Sequence, residues 1–132
     1  MAGEFEVQKA LYLALAGIGL TAYDVAPQAT DGGSLASYPY VEVGAIVLAE
    51  WDTSSETGFD YIARIHTRSR SGSMAECKGI QGQIYTRLHR GTLAVTGFNS
   101  VAIQRENSFC ERVGDGSFHG VCEYRGLIES VT

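Results

Sequence analysis

The signatures of catalysis and of ligand binding are missing from this chain of 132 residues. Its three cysteines, Cys77, Cys110 and Cys122, form no C-x-x-C pair and are odd in number, which excludes a disulfide scaffold. The nearest approach to a metal pair is His119-x-x-Cys122, and no second pair completes it, so neither a metal nor a cofactor is expected. There is no G-x-S-x-G elbow and no phosphate-binding Walker loop. Gly114, Gly116 and Gly120 have the wrong spacing for a dinucleotide loop and fall at a hairpin turn, with no helix to supply a dipole. No enzymatic activity is expected. The apolar stretch near the start, Ala10–Leu20, is short of the ~20 residues that span a bilayer. Acidic Glu4 and Glu6, not basic residues, precede it, so it does not read as a signal peptide. A protein with no membrane association, soluble and intracellular where it is made, is expected.

Basic residues are nearly absent from the first sixty positions, where nine acids face the single Lys9, a net charge of −8. The rest of the chain carries nine bases and six acids, and residues 61–91 hold six bases with Glu76 as their only acid. Such a division suits either a nucleic-acid partner or head-to-tail stacking of copies. The overall charge of −5 weighs against the first. With 45% hydrophobic and 19% charged residues, the chain is neither disordered nor a charged tail, and its length suits a single domain over residues 1–132.

The elements can be read in order. Val7, Ala10, Leu11, Ala14 and Leu15 recur at helical spacing, predicting a helix over Gly3–Ala16 that Gly17 and Gly19 stop. A short strand at Thr21–Val25 precedes a loop, Ala26–Ser37. Tyr40–Ala49 is strand-like, with Val41, Val43, Ala45, Val47 and Ala49 on one face and Glu42, Gly44, Ile46 and Leu48 on the other. Phe59–Ser69 alternates more cleanly: Phe59, Tyr61, Ala63, Ile65 and Thr67 oppose Asp60, Ile62, Arg64, His66 and Arg68. Ser73-x-x-Glu76 is a capping box for a second helix ending at Gly91, with Cys77, Ile80, Ile84 and Leu88 inward and Gln81, Gln83 and Arg87 outward.

Asp115-Gly116 suits a two-residue hairpin turn. Pairing outward from Gly114 and Ser117 sets Val113 opposite Phe118, Phe109 opposite Cys122, Asn107 opposite Tyr124 and Ile103 opposite Ile128. The other face then pairs Arg112 with His119, Ser108 with Glu123 and Glu106 with Arg125, and Cys110 and Cys122 fall on opposite faces. The order is α-β-β-β-α-β-β. It predicts an α+β fold: an antiparallel sheet of four to five strands with two helices packed on one face.

Arg64, Arg68 and Arg70 share a strand face, as phosphate-tracking residues do. Their neighbouring aromatics, Phe59 and Tyr61, lie on the opposite face, where they serve the core and cannot stack bases. His66 sits between these arginines, and His89 reads as a cation at a helix C-terminus.

The YPYVEVG strand start, the loop EWDTSSETG, the IHTRSRSG strand end and the closing hairpin GDGSFHGVCEYRGLIE resemble the tail-terminator (tail-completion) proteins of long-tailed bacteriophages. The resemblance covers roughly Leu11–Glu129. It implies a structural virion protein, assembled in the host cytoplasm, that forms a hexameric ring on the head-proximal end of the tail tube. Such a ring ends tube polymerisation, offers a docking surface to the head–tail connector protein, and passes DNA through its lumen without specific binding. On this reading Arg64, His66, Arg68 and Arg70 lie against an acidic surface of a neighbouring subunit, with Glu42 and Asp60 as candidate partners. The loop Glu50, Trp51, Asp52, Thr53, Ser54, Ser55, Glu56, Thr57 and Gly58 is longer than a hairpin needs and is a candidate contact with the tail tube protein, Trp51 being its apolar anchor. The alternatives are another phage neck or head–tail joining protein, and a small nucleic-acid-binding module using the Arg64, Arg68 and Arg70 strand.

Overall fold

Alternating and helical patterns both resolve into regular elements in a computed structural model, which describes residues 4–17, 22–23, 39–50, 58–70, 74–91, 93–114 and 116–130. Their order is α1 (Glu4–Ala16), β1 (Ala22–Tyr23), β2 (Tyr40–Glu50), β3 (Gly58–Ser69), α2 (Met74–Leu88), β4 (Phe98–Arg112) and β5 (Phe118–Ser130). The strands form one sheet in the order β1-β2-β3-β5-β4. The four long strands are antiparallel, and the short β1 joins the edge of β2 in parallel. The fold is α+β, with both helices against one face of the sheet. The expected loop Ala26–Ser37 lies outside the described residues.

Helix α1 buries Val7, Ala10, Leu11 and Leu15, and α2 buries Cys77, Ile80, Ile84 and Leu88, the expected stripes. These pack on Val41, Val43, Tyr61, Ala63, Ile65, Tyr124 and Ile128 of the central strands. Arg87 near the end of α2 donates from Nε to the Ala14 carbonyl at 2.9 Å, which also accepts from the Gly17 N–H at 3.2 Å, and this places a cation at the negative end of α1.

Gln81 departs from expectation: it is 5% exposed instead of facing outward. Its amide donates to the Phe109 carbonyl of the edge strand β4 at 2.9 Å, and its oxygen accepts from the Cys110 thiol at 3.0 Å. A buried polar side chain with both ends satisfied carries little desolvation penalty. The expected capping box falls partly outside the described residues, at Ser73. The Glu76 carboxylate accepts from the Ser69 hydroxyl at 2.6 Å.

Two registers differ from the sequence reading. In β2 the pairing with β3 shifts between Val43 and Ile46. The extra residue of a bulge reverses the alternation beyond it. Val41 and Val43 are therefore buried, but Ile46 and Leu48 take over the core side and Val47 is left 64% exposed. The second difference is the closing hairpin. Val113 pairs with Ser117 through a 2.8 Å hydrogen bond, Gly116 donates to the Val113 carbonyl at 3.0 Å, and Gly116 has φ of 88°. This is the three-residue loop with a left-handed glycine, not the two-residue turn.

The change slips the register by one residue, so Phe118 faces Arg112, Cys122 faces Ser108 and Glu123 faces Asn107. Phe109 is carried to the helix-free face, and Cys110 joins Cys122 on the covered one, against the expectation that the two cysteines lie on opposite faces. A further register shift between Arg105 and Asn107 brings Ile103 back to the core, opposite Gly126 instead of Ile128, and another follows between Ser100 and Ala102. His89, read in the sequence as a cation at a helix C-terminus, ties α2 to β4: its Nδ1 accepts from the Arg105 backbone N–H at 3.1 Å and its ring stacks on Tyr85.

Candidate assembly surface

Because both helices lie on one side, the opposite face of β2, β3, β5 and β4 has no helix over it among the described residues. Alternation along β3 brings Asp60, Ile62, Arg64, His66 and Arg68 to this open face, where β5 adds His119, Val121, Glu123, Arg125 and Leu127. The sheet register then joins these residues into cross-strand groups. Arg64 Nη2 meets Glu123 Oε2 at 3.1 Å, and Asn107 donates to the other carboxylate oxygen at 2.9 Å. Those two hydrogen bonds, Asn107 first, hold the Glu123 carboxyl below its ordinary pKa. Arg125 grips Asp60 with two guanidinium nitrogens, one bond being 3.0 Å from Nε to Oδ1.

Toward the other end of the face, His66 Nδ1 and His119 Nε2 are 2.9 Å apart and the rings stack with centroids at 5.1 Å. Arg68 Nε stands 3.8 Å from Glu42, and Glu111 stands 3.7 Å from His119. Both imidazoles have lowered pKa values, from burial first and from the positive charge of Arg68 next. Only one ring can donate in the shared hydrogen bond, so a doubly protonated pair would lose it.

Of the residues singled out in the sequence, Glu42, Asp60, Arg64, His66 and Arg68 thus come together on one face, and Arg70 lies exposed just beyond the end of β3. Glu50 ends β2 and Gly58 begins β3; Trp51, Asp52, Thr53, Ser54, Ser55, Glu56 and Thr57 between them lie outside the described residues. The sequence reading missed the apolar component of the face. Val47 sits opposite Ile62, both exposed, and Phe109 is 50% exposed opposite Val121. The valine was hidden by the β2 bulge and the phenylalanine by the hairpin slip. A second apolar surface lies on the far side of the molecule, where Phe5, Tyr12 and Leu13 of α1 point away from the core, Phe5 being 68% exposed.

A cleft of about 330 Å³ between the ends of α1 and α2 is lined by Ala10, Leu13, Leu88, Leu93 and Ile103, with Arg87 as its one titratable group. It offers no nucleophile beside a base. Among the described residues no three His, Cys, Asp or Glu side chains gather as a metal site, and no helix is long and apolar enough to cross a membrane.

The described residues thus form a small sheet-and-helix unit with two unlike exposed surfaces. Comparison with known families gives it a place: residues 9–129 match the family model of tail completion protein gp17, and the chain belongs to that family. It is a phage tail structural protein. Among solved structures it resembles a chain of the virion of a native gene transfer agent particle, with a TM-score of 0.81, 20% identity and 98% of each chain covered. That likeness is one of fold. A search of curated proteins finds no match.

Proposed function

We propose that this chain, as a single domain over residues 1–132, assembles into a hexameric ring on the head-proximal end of the phage tail tube, where it ends tube polymerisation and gives the head connector its docking surface. The observation that carries the reading is the pair of unlike exposed surfaces on one subunit: the charged and apolar open face of the sheet, and the apolar outer side of α1. Unlike surfaces make a heterologous contact, and a heterologous contact that closes makes a ring. Membership in the tail completion family supports a setting at the phage tail.

In this account the contact between subunits is built on Arg64, His66, Arg68, Arg70, Glu42 and Asp60, with Val47, Ile62 and Phe109 as its apolar part. The pairs that Arg64, Arg68 and Asp60 make within the subunit do not compete with this role; they hold the charged ends in place for a neighbour, a saving of side-chain entropy on binding. The loop Glu50–Gly58 contacts the tail tube protein. The chain carries no enzymatic activity, needs no cofactor, acts in the neck region of the virion after assembly in the host cytoplasm, and lets DNA pass without binding it.

The test is to reverse charge at two positions, Arg64→Glu with Arg68→Glu, and to score ring formation and tail length. Loss of the ring with a folded subunit and overgrown tubes supports the proposal; normal assembly removes this face from it. A gel shift at low salt addresses the nucleic-acid alternative, since phosphate binding by Arg64, Arg68 and Arg70 would weaken steeply as salt rises. Against that alternative, Arg64 and Arg68 already face Glu123 and Glu42.

A further inference from the structure

Two of the three cysteines meet where α2 crosses the edge of the sheet. Cys77 stands in the first turns of α2 and is fully buried, and Cys110 on β4 is half-buried. Their sulfurs are 3.2 Å apart. The space for this contact is made by Gly120, which lies opposite Cys110 on β5. A Cβ at position 120 would come within 2.7 Å of the Cys77 sulfur and 2.6 Å of the Gln81 amide nitrogen, so any side chain there would push both off the sheet. Gln81 also holds the Cys110 thiol, accepting its proton at 3.0 Å. Cys122 is fully buried, and its thiol is directed at the Ile65 carbonyl at 3.7 Å.

We propose that Cys77 and Cys110 are a disulfide-forming pair that closes in an oxidising medium and pins α2 to the edge strand β4. A disulfide sets its sulfurs ~2.05 Å apart, so closure asks for an approach of about 1 Å, within reach of side-chain rotation. The reaction needs a small-molecule disulfide such as glutathione disulfide. The more accessible Cys110, as thiolate, attacks one of its sulfurs and releases one glutathione thiol. Cys77, having given up its proton to solvent or to the departing thiolate, attacks the Cys110 sulfur of the mixed disulfide and releases the second. Two protein thiols are oxidised, and one external disulfide is reduced to two thiols. Burial pushes the Cys77 thiol up to about 12, which makes it a poor target for reagents in solution and leaves the first step to Cys110; the second step is carried by the 3.2 Å proximity of the two sulfurs.

A phage tail protein meets both redox regimes. It is built in a reducing cytosol, where the pair stays open, and persists outside the cell, where oxidants are available. The bond would close a loop between positions 33 apart in sequence and remove that freedom from the unfolded chain. The chemistry rests on the sulfur geometry alone and is independent of ring formation.

The experiment treats the purified full-length protein with glutathione disulfide or with dithiothreitol, alkylates the remaining thiols, and maps the peptides. The expected result is a mass lower by about 2 Da after oxidation, one alkylated cysteine, Cys122, and a peptide joining Cys77 to Cys110. Melting should rise by several degrees over the reduced form. In Cys77→Ser, Cys110 should stop at a stable glutathione adduct and the rise in melting should vanish. The wild-type mapping stands on its own if that variant does not fold. Three alkylatable thiols after oxidation, a bond involving Cys122, or only links between molecules would overturn the proposal.

Discussion

The two faces of the one sheet follow different rules. The covered face is almost wholly apolar, and its side chains are locked between strands and helices: Tyr61, Ile65, Tyr124 and Ile128 are fully buried. The open face carries its energy in charged and polar cross-strand groups, Arg64–Glu123–Asn107 and Arg125–Asp60, spaced by exposed Val47, Ile62 and Phe109. Burying a large aliphatic side chain stabilises by ~1.5–3 kcal/mol, whereas an exposed ion pair contributes ~0.2–1 kcal/mol. The chain therefore owes most of its stability to the covered face.

The contrast is open to direct attack. Its largest effect belongs to the covered face: Ile65→Ala at the centre of β3 should destabilise by about 2–5 kcal/mol in denaturant unfolding, through lost burial and the cavity left behind. A cost near zero would mean that the core does not close around this strand.

A pH titration comes next. His66 and His119 bind protons less readily in the folded protein than in the unfolded chain, so unfolding takes up protons as the pH falls. Their contribution is fully present above the ordinary histidine value of 6.5 and is lost as pH falls below it toward the depressed folded values. Arg64, Arg68, Glu42 and Glu111 surround the pair, with the arginines opposing protonation and the glutamates favouring it. Melting should be flat above about pH 7 and decline below pH ~6.5. The double variant His66→Gln with His119→Gln should flatten that decline, and an unchanged profile would assign it to other groups.

The closing turn should respond by a smaller amount. Gly116→Ala forces a side chain into a left-handed conformation and should cost ~1 kcal/mol. The smallest effect belongs to the open face: Arg64→Ala should shift unfolding by less than about 1 kcal/mol. If it costs as much as Ile65→Ala, the two faces are not distinct in the way described.

The same contrast explains what the sequence made legible. The α2 stripe was readable because Cys77, Ile80, Ile84 and Leu88 obey the helical period, and β3 because its alternation is unbroken. Gln81 falls on that same helical stripe, four residues after Cys77, and its burial follows from a need that only the sheet order reveals: the edge strand β4 has a carbonyl to satisfy. The β2 bulge leaves no mark in an alternating run of small and β-branched residues, so Val47 was assigned with Val41 and Val43. Asp115-Gly116 suits either a two-residue turn or a three-residue loop ending in glycine, and the dipeptide by itself does not choose between them. That one-residue difference moved Phe109 onto the candidate assembly surface and Cys110 beside Cys77. The charged residues of the surface were found in the sequence because strand alternation alone places them. Their partners Glu123 and Arg125 were not, because they depend on β5 lying between β3 and β4.

The most direct test of the account is a reconstruction of the head-proximal end of the tail in intact particles, read for copy number and for what lies on the open sheet face. The account predicts six copies in a closed ring, with Arg64, Arg68 and Ile62 of each against the next subunit. Three or twelve copies, or six whose open faces touch no neighbour, would contradict it.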